Sequence, residues 1–239
     1  MADVPAPATN SPDPRNPPNA SNTVRAARLI DAAAFARVQH RTWRSASETL
    51  GLPSPPELDQ VERAWERAIT APPSPRHRSW VAVESGADIE GGPGDAIVGV
   101  AAVAPASDPD LDPERAVELL VLAVDPVARG RGHGSRLLSA AMQTASDDGE
   151  HEAVAWIPVA DDALRGFLEE SGWVADGAFR TLSDGANVDD ADDTDDEGTG
   201  DLRQVRVATS LLPEDPGPSD DGDDGDDNDN AQSNEAGSA

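Results

Sequence analysis

An α/β fold with a mixed sheet is predicted by the order of elements along the chain, β-α-α-β-β-β-α-β-α-β-β. Three observations predict it. Short apolar runs joined by glycine-rich turns mark hairpins, and amphipathic stretches at helical spacing supply crossover connections. A glycine-rich loop then joins the most apolar strand directly to a helix.

Taken in order, Thr23 to Ile30 reads as a short strand. Asp31 is placed to cap a helix through Ser47, with Ala34, Val38 and Arg41/Thr42 at helical spacing. Ser54-Pro55-Pro56-Glu57 is a helix start, and Leu58, Val61, Trp65 and Ile69 form the apolar stripe behind it, which ends before Pro72-Pro73. Ser79–Glu84 and Ala96–Val103 pair as a hairpin. Val117–Val124 is apolar on both faces, which predicts a central strand covered on both sides. A helix from Ser135 to Ser146 follows, with Leu137, Leu138, Ala141, Met142 and Ala145 apolar. Ala153–Ile157 is a strand, Asp162–Ser171 a helix closed by Gly172, and Trp173–Leu182 and Leu202–Leu211 the last two strands.

Charge divides the chain further. Asp and Glu number 46 against 18 basic residues, all of them Arg, for a formal charge of −28. Asp184–Asp201 and Glu214–Ala239 hold 19 of the acids and no base, so the remainder carries only about −9. We therefore expect a disordered Pro/Asn/Ala-rich segment at 1–22, a folded domain at 23–212 with an acidic insertion at 184–201, and a disordered acidic tail at 213–239. The tail lacks the spacing and the twelfth-position Glu of a calcium loop, so it reads as a solvating segment. The acidic balance argues against a nucleic-acid partner, which needs a basic face.

Absent residue types exclude further classes. With no Cys there is no disulfide, thiolate zinc site or cysteine nucleophile, and with no Lys no Walker-type phosphate loop or Schiff-base chemistry. His40, His77 and His151 show no metal-ligand spacing, and no metal is expected. The first residues lack a signal peptide's basic and apolar regions, and no apolar run reaches membrane-spanning length. The expectation is a cytoplasmic protein without a membrane partner; a homodimer stays open.

The segment that carries chemistry is Val124-Asp-Pro-Val-Ala-Arg129-Gly130-Arg131-Gly132-His133-Gly134-Ser135-Arg136. Its three glycines let successive backbone N–H groups converge, with a helix N-terminus immediately behind them. That arrangement suits a phosphate or pyrophosphate. A Gly-x-Gly-x-Gly alone is also the pattern of a flexible turn, and the context of strand, proline, loop and helix without a gap raises it above that reading. A dinucleotide fold would place an acid at the end of the next strand, and Val154-Ala-Trp-Ile offers none.

Arg129-x-x-Gly132-x-Gly134 after Val-Asp-Pro resembles the acetyl-CoA-binding motif of the GCN5-related N-acetyltransferases. Further matches surround it: Arg37-Val-Gln-His-Arg-Thr-Trp43-Arg resembles the first helix of a common bacterial branch, Glu118–Val124 the fourth strand, Trp156 the fifth, and Arg165-Gly-Phe167-Leu168-Glu169-x-x-Gly172-Trp173 the second helical motif. The similarity covers about residues 23–212. It implies a mixed, mostly antiparallel central sheet with helices on both faces. It also implies transfer of acetyl from acetyl-CoA, as co-substrate, to a primary amine of a small molecule or peptide N-terminus. Backbone N–H groups of Arg129, Gly130, Arg131, Gly132, His133, Gly134 and Ser135 would hold the pyrophosphate, and the backbone of Leu122 and Val124 the pantetheine and thioester. Asp161 and Phe167 fall at cofactor-side positions of the second helical motif.

The chain departs from that pattern where the family usually has a Tyr after the Phe, as the acid for the departing thiolate. Leu168 stands there, and the chain has no Tyr. Asp161 replaces the usual Asn, and Ala123 a Tyr before the strand-end Val. Glu118 is the general-base candidate, because simple alternation puts it on one face with Leu120, Leu122 and Val124; the plainer reading is a solvated Glu at the start of a strand. His133 is expected to contact CoA or solvent, Asp125 to shape the turn, Trp43 and Trp65 to be core before they line an acceptor pocket, and Arg76 and Arg78 to lie on the surface. A rival of a different class is a non-catalytic acetyl-CoA sensor or partner-binding module that has lost its acid.

Overall fold

The computed structural model describes residues 22–87, 94–182 and 202–212. The predicted segment 1–22, apart from Asn22, and the acidic stretches 184–201 and 213–239 lie outside the described residues. In chain order the elements are β1 (Asn22–Ala26), α1 (Ala32–Leu50), α2 (Leu58–Thr70), β2 (Arg78–Ala87), β3 (Gly94–Pro105), β4 (Ala116–Val124), α3 (His133–Asp147), β5 (Glu152–Pro158), α4 (Asp162–Glu170), β6 (Val174–Leu182) and β7 (Leu202–Ser210). The strands form one sheet in the order β1-β2-β3-β4-β5-β7-β6, antiparallel except where β4 lies parallel to β5.

Helices cover both faces, as the sequence predicts. On one face Leu137, Leu138 and Ala141 of α3 and Leu168 of α4 pack with Val117, Leu119, Ile157 and Val205 of the sheet. On the other, Phe35 and Val38 of α1 meet Val81, Val100 and Ala123, and Trp65 of α2 stacks on Phe35 with ring centroids 4.0 Å apart. Trp65 is therefore core, while the Trp43 indole N–H donates to the Pro53 carbonyl at 2.8 Å and ties down the α1–α2 connection.

Side-chain pairing moves some predicted boundaries. The first strand stops at Ala26, because Asp31 turns back to accept two hydrogen bonds from Arg25, at 2.6 and 2.9 Å, and one from the Arg28 N–H. Asp31 thus pins the turn before α1 rather than capping the helix, and α1 continues to a left-handed Gly51. Helix α3 begins at His133, two residues before the predicted start, so part of the glycine loop is already its first turn. Arg76, expected on the surface, is only partly exposed. It clamps buried Glu150 through Nε at 2.5 Å and donates to the Ala116 carbonyl at 3.0 Å.

The decisive irregularity lies in β4. Val121 faces Ala102 and Leu119 faces Val103, so Leu120 is an extra residue with no partner on β3. Such a bulge shifts the alternation of side chains by one. Val117 and Leu119 point into the α3 core, and beyond the bulge the even residues Leu122 and Val124 do so instead. Leu120 itself is 52 % exposed, so β4 is not covered on both faces throughout. On its other side β4 pairs with β5 only at Ala116, Val117 and Glu118. Past Glu118 the two strands part, and the β4 edge toward β5 runs on to Val124 without a strand partner among the described residues.

Candidate functional site

The parted strands open into a cavity of about 540 Å³. Its floor is Leu122 and Val124 of β4, its walls are Thr42, Ser45 and Thr49 of α1 and Leu164 and Phe167 of α4, and its far end is the glycine loop. This volume lies in the range of small-molecule sites, roughly 300–1,000 Å³.

Local chemistry shapes the loop from its start. Asp125 is buried and accepts from the Val127 N–H at 3.2 Å and from Arg41 Nε at 2.8 Å, which fixes the tight turn at Pro126–Ala128. Gly130 and Gly132 have φ of 75° and 78°, a region that L side chains rarely occupy. Gly132 precedes the first residue of α3, so the N–H groups of the first turn emerge into the cavity without intrahelical acceptors. At Gly134 a Cβ would touch Phe167 at 3.5 Å and Val124 at 3.8 Å, so the missing side chain keeps the passage between those two residues open. Asp161 caps α4 by accepting from the Leu164 N–H at 3.0 Å and faces the same cavity. A bound anion with an apolar stem fits this donor set and these walls.

The side chains of the loop do other work. Arg129 folds back to the Val124 carbonyl at 3.3 Å. Arg131 turns away, donating to Glu84 at 2.8 Å and to the Val127 carbonyl at 3.0 Å. The His133 side chain, expected to face CoA or solvent, points into the core: it is 1 % exposed, with Nε2 3.0 Å from Glu84. Burial pushes its pKa down, against the pull of Glu84. Buried Glu84 therefore staples the loop to β2 through both side chains, and of these two residues only His133 is among those lining the cavity.

Glu118 also departs from the prediction. Because the bulge falls after it, Glu118 lies on the opposite face of the sheet from Leu122 and Val124, sharing its face with Ala104 and Val154. It sits at the last β4–β5 pair before the opening and is 7 % exposed. Burial raises its pKa; Arg180, 3.7 Å away, pulls it down and Asp108 adds to the rise. A buried carboxylate with a raised pKa beside an opening is suited to taking up a proton.

A family model, the acetyltransferase (GNAT) family, matches residues 38–173, more than half of the chain. The chain belongs to the GNAT acetyltransferase family. Solved structures share the fold at low identity. An N-acetyltransferase from Staphylococcus aureus Mu50 is 17 % identical, with a TM-score of 0.55 over 80 % of this chain and 99 % of that one. The PaiA N-acetyltransferase from Thermoplasma acidophilum, in complex with coenzyme A, is 14 % identical, with a TM-score of 0.55 over 80 % and 99 %. A Salmonella typhimurium protein with its cofactor acetyl-CoA is 19 % identical, with a TM-score of 0.54 over 82 % and 96 %. No curated protein sequence matches.

Within this GNAT chain Leu168 of α4 stands where the resemblance leads one to expect a Tyr. It is 1 % exposed and packed in the α3–α4 core, so its position offers no group to the cavity. Sequence reasoning missed the residues around Glu118: Arg180 on β6, Gln204 and Arg206 on β7, and Asp108 before β4. Polar residues recur along β7 in Leu202-Arg-Gln-Val-Arg-Val, which was the one available signal that this face is not plain core. Among the described residues no helix is long and apolar enough to cross a membrane.

Proposed function

We propose that this protein transfers the acetyl group of acetyl-CoA to a primary amine of a small molecule or peptide N-terminus. The observation that carries the reading is the continuity of three parts: N–H donors at the start of α3, an open β4 edge, and a buried carboxylate where that edge begins. The loop backbone from Arg129 to Ser135 would hold the pyrophosphate. The pantetheine would lie along Leu122 and Val124 as an added strand, and β4 N–H groups would polarise the thioester carbonyl.

The amine nitrogen attacks the carbonyl carbon, the C–N bond forms and the C–S bond breaks. The ammonium proton passes to Glu118, directly or through a water, and the CoA thiolate leaves to be protonated by solvent. With no Tyr in the chain this last proton has no side-chain donor of the usual kind. A thiolate is a good leaving group, so the loss costs no more than ~10²–10⁴ in rate. The same buried Leu168 supports the second reading, an acetyl-CoA sensor without turnover. Thiol release with a panel of amines separates the two: a transferase releases CoA thiol in step with an acetylated amine. A protein that binds acetyl-CoA tightly and turns over no amine is the sensor.

A further inference from the structure

On the half of the sheet beyond β4, the face opposite α3 carries polar side chains from three neighbouring strands. Trp156 of β5 pairs with Arg206 of β7, and Gln204 of β7 with Arg180 of β6. Two arginines lie over the one Trp156 ring, their guanidinium carbons 4.5 Å (Arg180) and 5.7 Å (Arg206) from its centroid.

The two are held very differently. Arg206 is saturated: Nε donates to Asp176 at 2.6 Å, Nη2 to Asp110 at 2.8 Å, and Nη1 lies 2.8 Å from Asp108. An irregularity in β6, where the register slips between Ala175 and Phe179, brings Asp176 to it. Arg180 is oriented but not saturated. Its Nε donates to Gln204 at 2.6 Å, and its plane rests on Trp156. Its nearest carboxylate oxygen is that of Glu118, at 3.7 Å, beyond hydrogen-bond reach. Among the described residues its two terminal nitrogens donate no hydrogen bond, although 35 % of the side chain is exposed.

An ion pair in which burial outweighs attraction on both sides is poorly satisfied. Burial pushes Arg180 down and Glu118 up, and their mutual pull at this distance does not offset it. A ligand that lies alongside the pair relieves both if it brings an anion to the guanidinium and an amine to the carboxylate. A guanidinium with a tethered Nε and free terminal nitrogens presents the flat donor fork that a carboxylate fills with two bonds.

We propose that Arg180 is the acceptor-recognition residue, and that the acceptor is a free amino acid whose carboxylate docks on the terminal nitrogens of Arg180 while its amine lies against Glu118. This rests on the acetyl-transfer reading above. The 3.7 Å gap suits an amine and a carboxylate separated by one or two carbons. A diamine would set a second cation against Arg180, and a simple alkylamine would leave the guanidinium as poorly paired as before.

The test measures kcat/KM by thiol release for the common amino acids, their α-amides and their decarboxylated amines. The wild type should prefer an amino acid over both analogues by ~10–100-fold, less than a fully buried site achieves because Arg180 is partly exposed. In Arg180→Gln the preference should fall close to unity, and Arg180→Lys should restore part of it. Should the Gln variant fold poorly, Gln204→Leu releases Nε without removing the charge and should lower the same ratio. Equal or better turnover of the decarboxylated amines by wild type, or an unchanged ratio in the variants, overturns the inference and leaves the transferase reading standing. If no amine is turned over, the transferase reading fails, and calorimetric titration of amino acids into the CoA-saturated protein decides the inference. Binding that depends on Arg180 supports it, and no binding overturns it.

Discussion

Replacing Glu84 with Leu removes the staple between the glycine loop and β2. Glu84 is 4 % exposed and serves two cavity-loop residues, Arg131 at 2.8 Å and His133 at 3.0 Å. Losing the hydrogen bond to charged Arg131 should cost about 1.5–3 kcal/mol, toward the low end because that guanidinium is 31 % exposed and can rehydrate. His133 cannot rehydrate. Its Nδ1 is already buried without a partner, and stranding Nε2 as well adds about 1–3 kcal/mol. Together these give about 3–5 kcal/mol, the range for breaking a buried pair from one side. For a domain of this size that is a fall in Tm of roughly 6–20 °C. The double variant Glu84→Leu/His133→Leu removes the stranded imidazole and should recover the histidine share of the loss. Thermal melts of wild type, both single variants and the double variant complete the cycle. A Glu84→Leu protein that melts within a degree or two of wild type, or a double variant no more stable than Glu84→Leu, would refute the staple. CoA affinity should fall in step with stability, because the staple fixes the loop backbone.

Three further outcomes follow from the same geometry. Gly132→Val forces a β-branched residue to a φ of 78°, with its Cβ 3.0 Å from a movable Arg136 nitrogen; folding should cost about 1–2 kcal/mol while calorimetry shows acetyl-CoA binding lost, and unchanged affinity would remove the loop from the site. Glu118→Gln should lower turnover by roughly 10²–10⁴ with CoA affinity little changed, and wild-type kcat/KM should rise with pH as a carboxyl raised above the ordinary Glu range ionises, a limb missing in the variant. His133 is held below its ordinary value near 6.5, so between that value and the lowered one the unfolded chain binds the extra proton; stability should be full at pH 7 and fall as pH drops through this window, and His133→Leu should flatten the loss.

The elements and the glycine loop were legible because each rests on local chemistry: the apolar runs of β2 to β5, the Pro-Pro start of α2, and glycines where the backbone turns left-handed. What was not legible depends on contacts between distant residues. Asp31 resembles a helix cap in sequence, yet a neighbouring Arg25 outcompetes the helix N-terminus for its carboxylate. His133 resembles a ligand-facing residue, yet an acid 49 residues away draws it inward.

The largest consequence comes from one residue that strand periodicity cannot show. Simple alternation along Val117–Val124 puts Glu118 on one face with Leu122 and Val124, inside the cofactor cavity; the bulge at Leu120 puts it on the other. That changes the chemistry available to it. In the cavity the carboxylate would lie among the Leu122 and Val124 side chains that form its floor. On the far face it stands at the start of the β4–β5 opening with Arg180, Gln204 and Trp156, which is where the proposed reaction would bring the amine to it. The bulge thus falls just beyond the last β4–β5 pair and leaves Glu118 on the sheet face away from Leu122 and Val124.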